Sequence, residues 1–174
     1  ALTANTTGTD NVAVGANAAD ANTTGNDNTA IGDNALGANT TASYNTAVGS
    51  SALLVSTTGQ RNVAIGYTAM DAATTGSDSA VVGAYAGSSI TTGIENTFLG
   101  YYAGNAATTV NYNTFVGSGA GQNNTAANNT GVGKGAMYAN TTGTDNVAVG
   151  YLSLDANTTG NDNTAIGDNA LGAN

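Results

Sequence analysis

The sequence has no cysteine, no histidine, no proline and no tryptophan. Without Cys there is neither a disulfide nor a thiolate nucleophile, and without Cys or His there is no tight zinc site and no imidazole base. Ordinary enzyme chemistry is therefore not expected, and no catalytic residue, cofactor or metal ligand is assigned. Basic residues are nearly missing too: Arg61 and Lys134 stand against eleven acidic side chains, for a net charge of -9. Nucleic-acid binding relies on clustered Lys and Arg to displace counterions, and an anionic membrane surface attracts the same residues, so both partners are disfavoured. No run of eighteen apolar residues exists, which excludes a helical membrane span. A cysteine-free chain suits an exported protein that needs no disulfides. The chain opens on Ala rather than Met and shows no signal-peptide pattern, as expected for a processed or excised segment.

What the chain does contain is a repeat. A short unit Asn-Thr-Ala-Val/Ile-Gly ends at Gly15, Gly32, Gly49, Gly66, Gly83, Gly100, Gly117, Gly133, Gly150 and Gly167. Every interval is seventeen residues except the one closing at Gly133, which is sixteen. Ten units fill residues 1–174 and leave no room for a second domain. A unit this short cannot bury enough apolar surface to offset the entropy of ordering it, so it must stack on its neighbours. Gly, Thr, Asn and Val disfavour helix interiors, and helical repeats need more than thirty residues per unit. The expected fold is all-β: a parallel β-solenoid, or β-roll, of about ten 17-residue coils. At a strand spacing of about 4.8 Å it would form a rod of roughly 50 Å.

Columns of the repeat carry the packing. One residue before each marker glycine stands Val14, Ile31, Val48, Ile65, Val82, Leu99, Val116, Val132, Val149 or Ile166, all aliphatic. Their bulk assigns them to the core. Four residues after the marker come Ala19, Leu36, Leu53, Met70, Gly87, Gly104, Gly121, Met137, Leu154 and Leu171, read as the opposing wall. Where that wall is Gly, larger residues occur elsewhere: Phe98 and Phe115 two before the marker, Tyr85 and Tyr102 two after it. Volume exchanged between columns is what a packed interior requires. The marker glycine is expected at positive φ in a corner.

If the residue before the marker points inward, strand alternation sends its predecessor outward. That places Ala30, Ala47, Ala64, Val81, Phe98, Phe115 and Ala148 on an apolar stripe, read as an oligomer interface. Before the strand stands an Asn in nine units and Ser79 in the tenth, a column suited to side-chain hydrogen bonds from coil to coil. Thr pairs also align, among them Thr23-Thr24, Thr57-Thr58, Thr74-Thr75 and Thr91-Thr92. They are either turn residues bonding local backbone or two parallel files ordering water, as an ice-binding protein would present. Other signals are weak. The acidic column Asp10, Asp27, Asp78, Glu95, Asp145, Asp162 is interrupted by Tyr44, Arg61 and Tyr112, and the calcium nonapeptide G-G-x-G-x-D is missing. "GSGAGQ" lacks the Lys-Ser/Thr of a phosphate loop. The N-x-T triplets follow from the repeat itself.

The unit "NTAIGDNALGANTTASYNTAVG", residues 28–49, resembles seventeen-residue repeats of bacterial surface proteins and phage tail-fibre-like proteins. "NVAIG", residues 62–66, is similar to the head repeat of trimeric autotransporter adhesins. That resemblance implies a left-handed parallel β-roll that assembles as a trimer, although the adhesin head unit is shorter than seventeen residues. The expected function is non-enzymatic: a rigid segment of an extracellular fibre, adhesin or tail fibre at a cell surface or on a virion. Its partners would be further copies of itself, as a trimer or an end-to-end filament, and a cell-surface or glycan receptor. The alternative is an ice-binding protein using the Thr files.

Residues 4–39 and 139–174 differ only at Ala16-Asn17-Ala18-Ala19 against Tyr151-Leu152-Ser153-Leu154, which points to duplication of an eight-coil block. Both ends stop at the same phase without a cap, so the segment is expected to belong to a longer repetitive array.

Overall fold

A computed structural model describes residues 1–172; the last two residues of the duplicated block lie outside the described residues. Ten three-residue strands run β1 Val12–Val14, β2 Thr29–Ile31, β3 Thr46–Val48, β4 Val63–Ile65, β5 Ala80–Val82, β6 Thr97–Leu99, β7 Thr114–Val116, β8 Thr130–Val132, β9 Val147–Val149 and β10 Thr164–Ile166. They form one parallel sheet in chain order, each paired in register with the next. Between strands the chain makes a full turn, and its walls are also bonded coil to coil: Leu36 N–H to Ala52 O at 3.0 Å, Thr23 N–H to Thr40 O at 2.9 Å. The protein is a β-solenoid, with the seventeen-residue period as its coil length.

The core is narrow, and this reverses the strand assignment made from bulk. Ala30, Ala47, Ala64, Val81, Phe98, Phe115 and Ala148 are fully buried, whereas Ile65, Leu99 and Ile166 are 38, 48 and 71% exposed. The column expected to be an interface is therefore the core, and the column expected to be the core faces solvent. Parity explains the reversal. The column four before the marker is Asn28, Asn45, Asn62 and their equivalents, buried in every coil but the two terminal ones, and period-2 alternation then puts the residue two before the marker inside as well. A coil this tight has room there for alanine.

The opposing wall is where the repeat placed it, with Leu36, Leu53, Met70, Met137 and Leu154 buried. Most coils pair a small strand residue with a large wall residue, as in Ala30 with Leu36. Two coils invert the pair: a Cβ on Gly104 would lie 2.4 Å from Phe98 Cε2, and one on Gly121 would lie 2.4 Å from Phe115 Cε2. The two phenyl rings stack at 5.4 Å between centroids. Volume is thus exchanged for Phe98 and Phe115, but Tyr85 and Tyr102 take no part, since both stand partly exposed outside the coil.

Corners are made by left-handed backbone. The marker glycines hold φ between 129° and 144°, and a Cβ on Gly66 would lie 2.5 Å from Gly83 O in the next coil. Only glycine tolerates both the angle and the approach. The short unit ending at Gly133 loses its residue away from the sheet. Thr114 still pairs with Thr130, while Asn124 donates to Ala126 O at 2.6 Å, two residues on rather than the usual three.

Two asparagine ladders close the polar side of the core. In the first, Asn45 Oδ1 accepts from Asn62 N–H at 3.0 Å and Asn45 Nδ2 donates to Gly59 O at 2.8 Å, and the motif recurs along the column. Ser79 keeps half of it, accepting from Asn96 N–H at 3.1 Å. The second ladder was not anticipated: the Asn opening the N-T-T motif is buried, with Asn39 Nδ2 on Asn22 Oδ1 at 2.9 Å and Asn140 Nδ2 on Asn124 Oδ1 at 2.6 Å. It lapses in mid-rod, where the column becomes Ser56, Ala73, Ile90 and Ala107, and at its edge Asn39 Oδ1 and Ser56 Oγ are left without partners. Burial of Asn22, Asn39 and Asn140 also closes those N-x-T triplets to glycosylation.

Candidate interaction surfaces

Three surface features compete for a functional role: the outer face of the sheet, the Thr pairs and a cluster of tyrosines. The sheet face is built by the first and third residue of every strand. Of those twenty positions none is charged and only Ala80 and Leu99 are not β-branched. Branching at Cβ stiffens χ1, so the face is a rigid, level lattice of methyl groups with Thr hydroxyls on one side. At about 4.8 Å per strand and about 3.3 Å per residue it measures on the order of 400 Å², the size of the largest apolar patch on a typical monomer.

The Thr pairs form a bend rather than a strand, and their two members differ. Thr23, Thr57, Thr74 and Thr91 each donate their hydroxyl to a carbonyl of the next coil: Thr23 to Thr40 O at 2.9 Å, the other three to Thr74, Thr91 and Thr108 O at 3.2 Å. Thr24, Thr58, Thr75 and Thr92 are exposed. The pairs therefore present one outward hydroxyl file, not the two an ice lattice was expected to need, because the other file is spent holding coils together.

The column five before the marker lies on exposed left-handed corners, Asp27 at φ 55° and Glu95 at 55° among them. One ion pair crosses it: Arg61 Nε to Asp78 Oδ1 at 2.6 Å and Nη2 to Oδ2 at 2.9 Å. The guanidinium holds the Asp78 carboxyl below its ordinary range, chiefly through the hydrogen bond. Both groups are largely solvated, so the pair contributes little to stability.

Past the marker corner at mid-rod, Tyr67, Tyr85, Tyr101 and Tyr102 meet. Tyr85 is edge-on to Tyr67 at 5.3 Å and to Tyr101 at 6.2 Å, and stacks on Tyr102 at 4.9 Å. Loss of hydration, and then the neighbouring phenols, raise the Tyr85 and Tyr101 hydroxyls above their usual range. Separately, burial raises the Asp71 carboxyl, and its Oδ1 and the Thr68 hydroxyl have no partner. Elsewhere Tyr151 lies under Lys134, 5.9 Å from ammonium to ring centre. Among the described residues there is no cavity able to hold a small molecule, no group of three acidic side chains close enough to share a metal ion, and no helix long and apolar enough to cross a membrane. Compared with known protein families, curated proteins and solved structures, the chain has no match.

Proposed function

We propose that the chain is a rigid, non-enzymatic segment of an extracellular fibre, an adhesin or a tail fibre, whose copies associate side by side through the outer face of the sheet. The observation that carries this reading is the aliphatic file beside the marker glycines: ten Val, Ile or Leu side chains in line, without a charge, left at the surface of a chain whose net charge is -9. A continuous apolar stripe on so polar a molecule is better suited to contact than to water. The resemblance of residues 62–66 to adhesin head repeats favours three copies. Rigidity follows from the coil-to-coil bonding, which makes bending break ladders on several walls at once. A cell surface or virion is the setting that suits such a shaft.

Sedimentation equilibrium tests the association. The expected result is a concentration-dependent oligomer, trimer first, that Ile65→Lys weakens at least tenfold while circular dichroism stays unchanged. A wild-type monomer at millimolar concentration would end this reading. The ice-binding alternative would then use the Thr and Val lattice of the same face in place of the Thr pairs, and thermal hysteresis by the monomer would favour it.

A further inference from the structure

The four mid-rod tyrosines stand where the repeat does not need them. Every coil holds left-handed backbone at the position two after the marker, at Ser51, Thr68 and Leu152 as well as at Asn17, Asn34 and Asn169, so the φ of 58° and 57° at Tyr85 and Tyr102 belongs to the corner and not to the rings. What is particular to these coils is the cluster of aromatic rings itself, gathered outside the buried wall. The rings are also ordered. Tyr67, Ala84 and Tyr101 occupy the same column in successive coils, and backbone bonds from Tyr85 N–H to Tyr67 O at 3.0 Å and from Tyr102 N–H to Ala84 O at 3.2 Å hold that stacking. Tyr67 and Tyr101, 51 and 54% exposed, are thus two coils apart, roughly 10 Å, with only a methyl group between them in the column. Tyr85 lies between, nearly perpendicular to both. Asn105 Nδ2 donates to Ser88 Oγ at 2.6 Å and to Tyr85 O at 3.2 Å, fixing the turn that carries the central ring.

We infer that Tyr67, Tyr85 and Tyr101 form a platform for a neutral, extended β-linked polysaccharide. The C–H faces of a pyranose are apolar and faintly positive, and they pack on the negative face of an aromatic ring, while the phenol hydroxyl bonds the equatorial sugar hydroxyls. In an extended β-1,4-linked chain alternate sugars repeat at about the separation of Tyr67 and Tyr101, so those two rings meet every second sugar and Tyr85, edge-on between them, meets the one between. An open platform suits a chain molecule and needs no cavity. The chain's charge of -9 repels anionic polysaccharides and selects for uncharged ones. This deepens the receptor-bearing part of the shaft reading, yet it rests on the tyrosines alone: self-association can fail in the centrifuge while glycan binding holds, and the reverse.

Titration with cellohexaose and chitohexaose, with polygalacturonate as the anionic comparison, tests it. The expected result is a Kd of about 1 mM or tighter for at least one neutral hexasaccharide. Tyr67→Ala and Tyr101→Ala should each weaken it at least tenfold, Tyr101→Trp should retain it, and Tyr44→Ala, in the neighbouring coil but at the opposite end of the strand, should change nothing. All three positions are exposed, and circular dichroism of each variant confirms the fold. No binding of either neutral sugar at millimolar concentration, wild-type affinity in the Tyr67→Ala or Tyr101→Ala variant, or preference for polygalacturonate would overturn the inference.

Discussion

Phe98→Ala is expected to cost about 3–5 kcal/mol, and adding Gly104→Leu to the same chain is expected to return most of that loss. Phe98 is fully buried and its ring occupies the space a side chain on Gly104 would need. Removing the ring empties the coil at that level; neighbouring coils are pinned by backbone bonds and cannot collapse into it. Leucine at position 104 would then recreate the pair Ala30 with Leu36, and the left-handed angle is no obstacle, since Leu36 holds φ 51° against 57° for Gly104. Gly104→Leu alone should destabilise, because it drives a side chain into the intact phenyl ring. Denaturant midpoints of the four proteins form a cycle. The expected coupling is several kcal/mol and favourable; additive effects would show that the two columns do not share one interior.

Asn45→Ala should lower stability by about 2–6 kcal/mol, although it removes only three heavy atoms. Two buried backbone groups lose their partners, the Asn62 N–H and the Gly59 carbonyl, and each orphaned group costs about 1–3 kcal/mol. Asn45→Ser should be milder, because Ser79 shows that a hydroxyl at this column still accepts from the next coil. Asn45→Asp adds a pH dependence of definite sign. Its ionised form would set a carboxylate oxygen against the Gly59 carbonyl in a dry interior, so the folded-state pKa rises above the unfolded value near 3.9. The protonated acid can still donate. This variant's stability is therefore fully retained below the unfolded pKa and lost as pH rises through the folded one. Urea unfolding at pH 3 and pH 7 checks it: an Asp variant relatively more stable at pH 7 would contradict the ladder.

The period, the strands, the marker glycine and the opposing wall were legible because a stacked coil repeats each local demand at a constant interval. The inside and outside of the strand were not legible from bulk. In T-A-V-G the larger residue is the natural choice for a core, and in a wide barrel it would be right. Two signals in the sequence oppose that choice. The Asn column and the Ala column share parity, so a structural Asn ladder commits Ala to the interior; and Phe98 and Phe115 can trade volume with Gly104 and Gly121 only across an interior they both face. A one-residue slip exchanges the two faces entirely, which is why the stripe expected at an interface is core and the column expected in the core faces solvent. The second Asn ladder is masked in the sequence by the threonines that follow each of its members, and the tyrosine cluster by having its four members in two different columns.

The register of the strand relative to the interior is the claim on which the core, the contact face and the exchange of volume all depend, and the absence of native cysteine allows it to be measured one residue at a time. Single Ala64→Cys and Ile65→Cys variants, treated with a thiol reagent under native conditions over a range of protein concentration, differ by one position in β4. The account predicts that the Ala64→Cys thiol stays unreactive at every concentration and labels only on unfolding, while the Ile65→Cys thiol labels on dilution and becomes protected as copies associate. Native labelling at position 64 with protection at 65 in the dilute monomer would contradict the register, and labelling at 65 that ignores concentration would contradict the contact.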